Sequence, residues 1–198
     1  MYPNRIELRE RSDMTMWLKQ QRKPRRLTTL EKNVLQLRAM EMVLIIHHAQ
    51  QYREALLQTI MTSENLFNRD APRITPNSKD KITLAFALYV EDGVLTREEA
   101  DESIRLLEYR NDVAHRIHAL NADASDVGRY PGELRYDYDA LERIKVLREK
   151  FSEQSQSRYV IPIGFDDLQF EPMEVALADG LRSLKKRIAR QVSARQDR

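Results

Sequence analysis

Residues 29–61, "TLEKNVLQLRAMEMVLIIHHAQQYREALLQTIM", contain neither glycine nor proline. A run with no turn-forming residue reads as one helix, about 50 Å long at about 1.5 Å per residue. Thr28 and Glu31 are spaced as a capping box, which places its start. Its middle, Met40 to Ile46, is apolar on nearly every side except at Glu41. A helix apolar all round is covered on more than one face. The run therefore predicts a central helix, or one shared between subunits, with the rest of the chain wrapped on it.

The remaining sequence supplies more helices to do the covering. Five glycines and seven prolines in 198 residues, with 41% apolar and 32% charged residues, suit a helix-rich protein and argue against disorder or an all-β fold. "RDAPRITPNSKD" reads as a loop, followed by a helix over roughly 78–91 with Gly93 as its stop. Thr96 and Glu99 form a second capping-box spacing, opening a helix expected to run to about Leu120. "NADASDVGRYPGELRYD" is a polar loop, Asp139 to about Ser155 is helical again, and "RYVIPIGF" reads as a short extended piece. Pro172 at a first-turn position starts the last helix, which fades after about Val192. The expected fold is all-α, an antiparallel helical bundle of about five helices. Residues 1–27 read as a polar basic arm, residues 28–122 as the core, and residues 123–198 as a loop and C-terminal helices completing the same domain.

The chain has no cysteine, hence no disulfide framework and no zinc–thiolate site. Its start lacks the apolar stretch of a secretory signal, and "MVLIIHHA" is too short to span a bilayer, so no membrane association and a cytoplasmic location are expected. Net charge is only +2, but Lys19, Arg22, Lys23, Arg25 and Arg26 cluster before the long helix, and Arg182, Lys185, Lys186, Arg187, Arg190 and Arg195 mark the last one. Basic ends permit a nucleic-acid partner, although such runs are more often solvated helix faces.

The helix after Thr96 carries an anomaly. With Ala100 at zero and about 100° per residue, Tyr109, Leu120, Val113, Leu106, Ile117, Ala114 and Leu107 fall in one apolar arc, and Arg110 lands at about 280° inside it. Asn111, His115 and His118 gather at the arc's edge, close enough in turn and rise to share a surface. An ionised Arg in an apolar seam needs a partner, because stranding its charge costs several kcal/mol. One account is an Arg that snorkels or pairs with a carboxylate such as Glu108 or Asp112. The other is an Arg held at a cleft or subunit seam to receive a phosphate, with the imidazoles beside it suited to proton transfer near neutral pH.

Arg110-Asn111-Asp112-Val113-Ala114-His115 reads R-x-x-x-x-H with a polar residue after the Arg. It resembles the signature of HEPN domains, small helical domains many of which are ribonucleases in toxin–antitoxin and antiviral systems. The approach, "KITLAFALYVEDGVLTREEADESIRLLEYRNDVAH", is similar to the HEPN pattern too, and the likeness covers about residues 28–122. The resemblance implies a homodimer joined through the motif helix, an RNA substrate, cleavage with no metal or other cofactor, and an antitoxin or regulatory protein as partner. It implies that Arg110 holds the scissile phosphate, that His115 is the general acid or base, and that Asn111 orients His115 or the phosphate. His118 lies outside the family pattern and is an accessory. Arg116, Arg129 and Arg135 are candidate RNA contacts. Within one helix Arg110 and His115 are separated by about 140° and about 7.5 Å of rise, so the shared use of one phosphate calls for two copies. Such a seam would shelter Leu106, Val113 and Ile117.

Other features weigh less. His47 and His48 are adjacent on the long helix, where core or surface histidines are the commoner case. Tyr130, Tyr136 and Tyr138 flank Arg129 and Arg135; aromatics among arginines can stack on bases, but rings packed against the bundle are the simpler account. There is no H-E-x-x-H, Gly-rich phosphate loop or G-x-S-x-G. The chain also resembles the mannitol operon repressor family in "GVLTREEADESIRLLEYRNDVAH", which implies a helical, non-catalytic regulator as the alternative. A direct DNA-binding repressor lacks any clear helix-turn-helix.

Overall fold

Two local signals set where helices begin. The Thr28 N–H donates to Glu31 Oε2 at 2.6 Å while the Glu31 N–H donates to Thr28 Oγ1 at 3.2 Å. The same reciprocal pair joins Thr96 and Glu99, at 2.9 and 3.2 Å. Each box satisfies two orphan amides of a first turn, and its cap stabilises by about 1 kcal/mol. In the computed structural model, which describes residues 26–67, 70–121, 135–159 and 171–196, these boxes open α1 (Thr29–Phe67) and α3 (Arg97–His115). Between them lies α2 (Lys81–Glu91), and after them come α4 (Ile117–Leu120), α5 (Ala140–Arg158) and α6 (Glu171–Gln196). Every regular element among the described residues is a helix. Residues 1–25 of the basic N-terminal arm and the "VIPIGF" piece lie outside the described residues. Helix α2 stops as expected: Gly93 takes φ 71°, the Val94 N–H donates to Tyr89 O and the Gly93 N–H to Val90 O. That double bond with a left-handed residue is a Schellman stop, which a side chain at Gly93 would strain.

Helix α1 packs against α2, α3, α5 and α6, which is why its middle has to be apolar around most of its circumference. Met42 and Ile45 enter the main core, and Leu37 and Leu44 enter a smaller one with Leu181 and Leu184 of α6. Contacts with α6 descend in that helix as they climb α1: Asn33 with Gln191, Glu41 with Lys185, His48 with Glu174. The end of the Met40 side chain lies over Gly180, in the space a Cβ there would occupy.

Two expectations about exposure are reversed. Glu41, the apparent polar exception, is 2% exposed, whereas Val43 is 45% exposed. Glu41 can be buried because the Tyr136 hydroxyl donates to it at 2.8 Å and Lys185 Nζ lies 3.0 Å away, supplying the partners a buried carboxylate needs.

Helix α3 does not run through to Leu120. It ends at His115, Arg116 leaves helical geometry at φ −127°, ψ 29°, and α4 restarts at Ile117. Arg38, buried on α1, donates to the Leu120 carbonyl at 3.1 Å and lies over the rings of Tyr136 and Tyr138 at 4.7 and 5.1 Å. This anchor and the full burial of Leu120 fix the segment after the break. Ile117, expected on the buried arc, is consequently 50% exposed. Leu106 and Val113 are buried, but within their own chain, so they are not left over for a seam.

Candidate functional site

Ser103, Leu106 and Val113 form the buried stripe of α3, and Arg110 falls between them on the wheel at about 280°. Its guanidinium is held from two sides. One amino group donates to Gln50 Oε1 of α1 at 3.0 Å and the other to Asn111 Oδ1 at 2.9 Å. Gln50 in turn donates through its amide nitrogen to Glu54, which turns its carbonyl oxygen toward Arg110. The Arg110 Nε is buried without a partner, and among the described residues no carboxylate lies within ion-pair distance of the guanidinium. Neutral amides therefore orient this cation without neutralising it, so its charge stays available to an anion.

The cation faces a groove of about 470 Å³ between α1, α3 and the start of α2. Gln50 and Arg53 come from α1, Asp80, Ile82 and Thr83 from the start of α2, and Ile104, Leu107, Glu108, Arg110 and Asn111 from α3. Asp80 stands at the N-cap position of α2 with φ 46°, and its carboxylate makes no capping bond.

Asn111 holds Arg110, not His115. His115 is the last residue of α3, exposed, outside the groove lining, and without a hydrogen bond among the described residues. The chain thus brings Arg110 and Asn111 together and leaves His115 a turn away, as the roughly 140° separation requires. Arg116 is exposed, closes α3 by donating its N–H to Asp112 O, and sits 3.4 Å from the Asp112 carboxylate. Arg135 is exposed. The side chain of His118, and Arg129 and Tyr130 altogether, lie outside the described residues. Tyr136 and Tyr138 are placed against Arg38 and each other; Tyr136 is buried in the bundle, whereas Tyr138 stays 52% exposed.

The residues the sequence did not single out are Gln50, Arg53 and Glu54. Nothing marks an exposed-looking Gln on a long helix; its role follows from α1 crossing α3 at that height. His48 is a second surprise. It is 1% exposed, Arg148 donates to its Nδ1, and Nε2 lies 3.1 Å from Glu174 Oε1 without hydrogen-bond geometry. His47, His48 and Glu174 offer atoms within 4.8 Å of one another, which is the reach of a metal site. With its Nδ1 lone pair taken by Arg148, however, a neutral His48 carries its proton on Nε2 and has no second lone pair for a metal.

Burial, with Arg148, Lys145 and His47 adding to it, holds the His48 pKa down to about 3 from 6.5. The unfolded chain then binds a proton that the folded chain does not throughout that interval. Stability contributed by neutral His48 is complete above about pH 6.5 and declines as pH falls toward about 3. Chemical denaturation at successive pH values should show His48→Gln with a shallower acid loss than wild type, by at most about 1.4 kcal/mol per pH unit. Identical slopes would mean that His48 does not titrate this way.

Among known proteins, no family model matches this chain, and no curated protein or solved structure is significantly similar to it. No described helix is long and apolar enough to cross a membrane. The functional reading consequently rests on the groove and its residues.

Proposed function

We propose that the chain is a metal-independent endoribonuclease of the HEPN kind, acting in the cytoplasm as a toxin or antiviral effector held in check by a partner protein. The observation that carries this reading is Arg110: a guanidinium set into the apolar side of α3, oriented by Gln50 and Asn111, unpaired with any described carboxylate and facing a groove. An ionised group in that position is costly unless something anionic comes to it. A phosphodiester fits the need, and the fork of the guanidinium matches its two free oxygens.

RNA brings its own nucleophile. The 2′-oxygen attacks phosphorus as its proton passes to a base, the bond from phosphorus to the 5′-oxygen breaks, and that oxygen takes a proton from an acid. His115 is the group of this motif that can carry those protons, and Arg110 meets the charge that builds on the phosphoryl oxygens. The expected products are a 2′,3′-cyclic phosphate upstream and a 5′-hydroxyl downstream, formed equally well in EDTA. End-group analysis of a short RNA checks this. Cleavage that stops with chelator and returns with Mg²⁺, or that proceeds past a 2′-deoxyribose at the scissile position, contradicts the mechanism.

Because His115 stands apart from Arg110 within one chain, the proposal includes a two-fold dimer. Asn111, Ala114 and His115 share an exposed strip of α3 beside the Arg110 rim. Packing two such strips face to face sets one chain's His115 against the other chain's Arg110. The opposed run of α1 and α6 supports the antiparallel bundle that such a dimer would join. Light scattering should give a mass near twice 23.4 kDa; one chain's mass at micromolar concentration removes the dimer. In verified heterodimers of Arg110→Ala with His115→Ala subunits, one composite half-site is intact, and partial cleavage should return.

A second reading has its own observation. His115 is exposed and unsupported, and both Arg110 amino groups are already bonded, which also suits a non-catalytic helical regulator like the mannitol operon repressor family. Incubating purified protein with total RNA beside His115→Ala separates the two: the regulator leaves both samples intact.

A further inference from the structure

The groove beside Arg110 has two unlike walls. Gln50 and Arg53 belong to α1, and Arg110 is bonded to Gln50, so both cations stand on the α1 side. Asp80 precedes α2, and Glu108 lies about 160° around α3 from Arg110, so neither carboxylate comes from the α1 wall. Ile82, Ile104 and Leu107 line the same groove. A groove that offers two cations, two carboxylates and three apolar side chains can hold a ligand carrying all three chemistries, and about 470 Å³ is small-ligand size.

A residue at an N-cap position with a carboxylate ordinarily bonds the first-turn amides. Here Asp80 sits at φ 46°, a left-handed conformation that Asp adopts more readily than most residues, and its oxygens are uncommitted to the cap.

We infer that this groove is a base-selecting subsite that holds one unstacked nucleotide, its phosphate on Arg53 and Arg110, its base on Ile82, Ile104 and Leu107, and its amino edge toward Asp80 and Glu108. The ligand assignment rests on the ribonuclease reading, since the slot lies on the strip of α3 that leads through Asn111 to His115. Carboxylates accept hydrogen bonds and donate none. Adenine, cytosine and guanine each present an exocyclic amine that can donate to them. Uracil presents carbonyl oxygens flanking a single ring N–H, so two of its edge atoms face like charge. The subsite therefore disfavours uridine at one position flanking the cut.

The test does not need cleavage. Isoleucine δ1-methyl spectra of the full-length protein are recorded during titration with 5′-AMP, CMP, GMP and UMP. The Ile82 and Ile104 methyls should shift with all four, saturating about tenfold more weakly for UMP. Thr83 is exposed at the rim, so Thr83→Trp folds while filling the slot and should abolish the shifts. Removing both carboxylates, Asp80→Ala with Glu108→Ala, each at an exposed position, should bring UMP level with the others, and Arg53→Ala should weaken all four alike. Shifts absent from Ile82 and Ile104, UMP binding as well as AMP, or shifts that survive Thr83→Trp each overturn the subsite. RNA cleavage with no nucleotide binding here defeats this inference alone. Selective nucleotide binding by a protein that leaves RNA intact defeats the ribonuclease reading and keeps the subsite.

Discussion

On the proposed ribonuclease reading, His115→Ala should lower RNA cleavage by about 10²–10⁴-fold, the usual worth of a positioned proton-transfer group. Arg110→Ala is at least as damaging, because it removes the charge that meets the phosphoryl oxygens as they gain electron density. The two variants are expected to differ in what else they disturb. His115 is exposed and unbonded among the described residues, so its loss should leave the thermal midpoint where it was. Arg110 is half-buried and ties Gln50 to Asn111, so its removal strands two amide oxygens and should cost some stability as well. Arg110→Lys separates the effects: it keeps the positive charge but cannot donate to both amides and two phosphoryl oxygens as a planar fork does. Lys should recover folding and little of the rate. Single-turnover cleavage of one short RNA, beside thermal melts, reads all three variants. If both alanine variants cleave as fast as wild type, Arg110 and His115 are not the catalytic pair.

Phe151→Ala should destabilise the fold by about 3–5 kcal/mol. Phe151 is 1% exposed on α5, and its ring meets the edges or faces of Tyr52 from α1 and Tyr89 from α2 in near-perpendicular pairs at 5.9 and 5.1 Å. Three helices are thus joined at one aromatic contact. Truncation leaves a void there, and the two tyrosines cannot close on it. The Tyr89 hydroxyl is committed to the Leu56 carbonyl at 2.6 Å and the Tyr52 hydroxyl to Ser103 Oγ at 3.0 Å. A domain's whole stability is about 5–15 kcal/mol, so this single change should move a urea midpoint far more than any surface substitution. A shift under about 1 kcal/mol would mean that the cluster repacks, contrary to its bonding.

The helix boundaries that could be read from the chain are those fixed within one turn. Thr28 with Glu31 and Thr96 with Glu99 are reciprocal bonds between residues three apart, and Gly93 stops α2 through its own backbone freedom, so no distant partner is consulted. The absence of glycine and proline from residues 29–61 likewise dictates a long helix, though that helix continues to Phe67. The place of Arg110 in the apolar arc is also local, since it depends only on the pitch of α3.

What the chain could not announce depends on groups far apart in sequence. Glu41 is buried because Tyr136 and Lys185 reach it, and α3 breaks at Arg116 while Arg38 holds the carbonyl of Leu120. Asn111 could be placed beside His115 or Arg110 on a wheel; the bond it makes is to Arg110, and the second support comes from Gln50, sixty residues earlier. The sequence by itself determined that this is a helical protein with a long central helix and an arginine out of place. The tertiary structure decided that the arginine is steadied by amides and left with its charge, because a crossing of α1 and α3 brings a carbonyl oxygen, not a carboxylate, to its side.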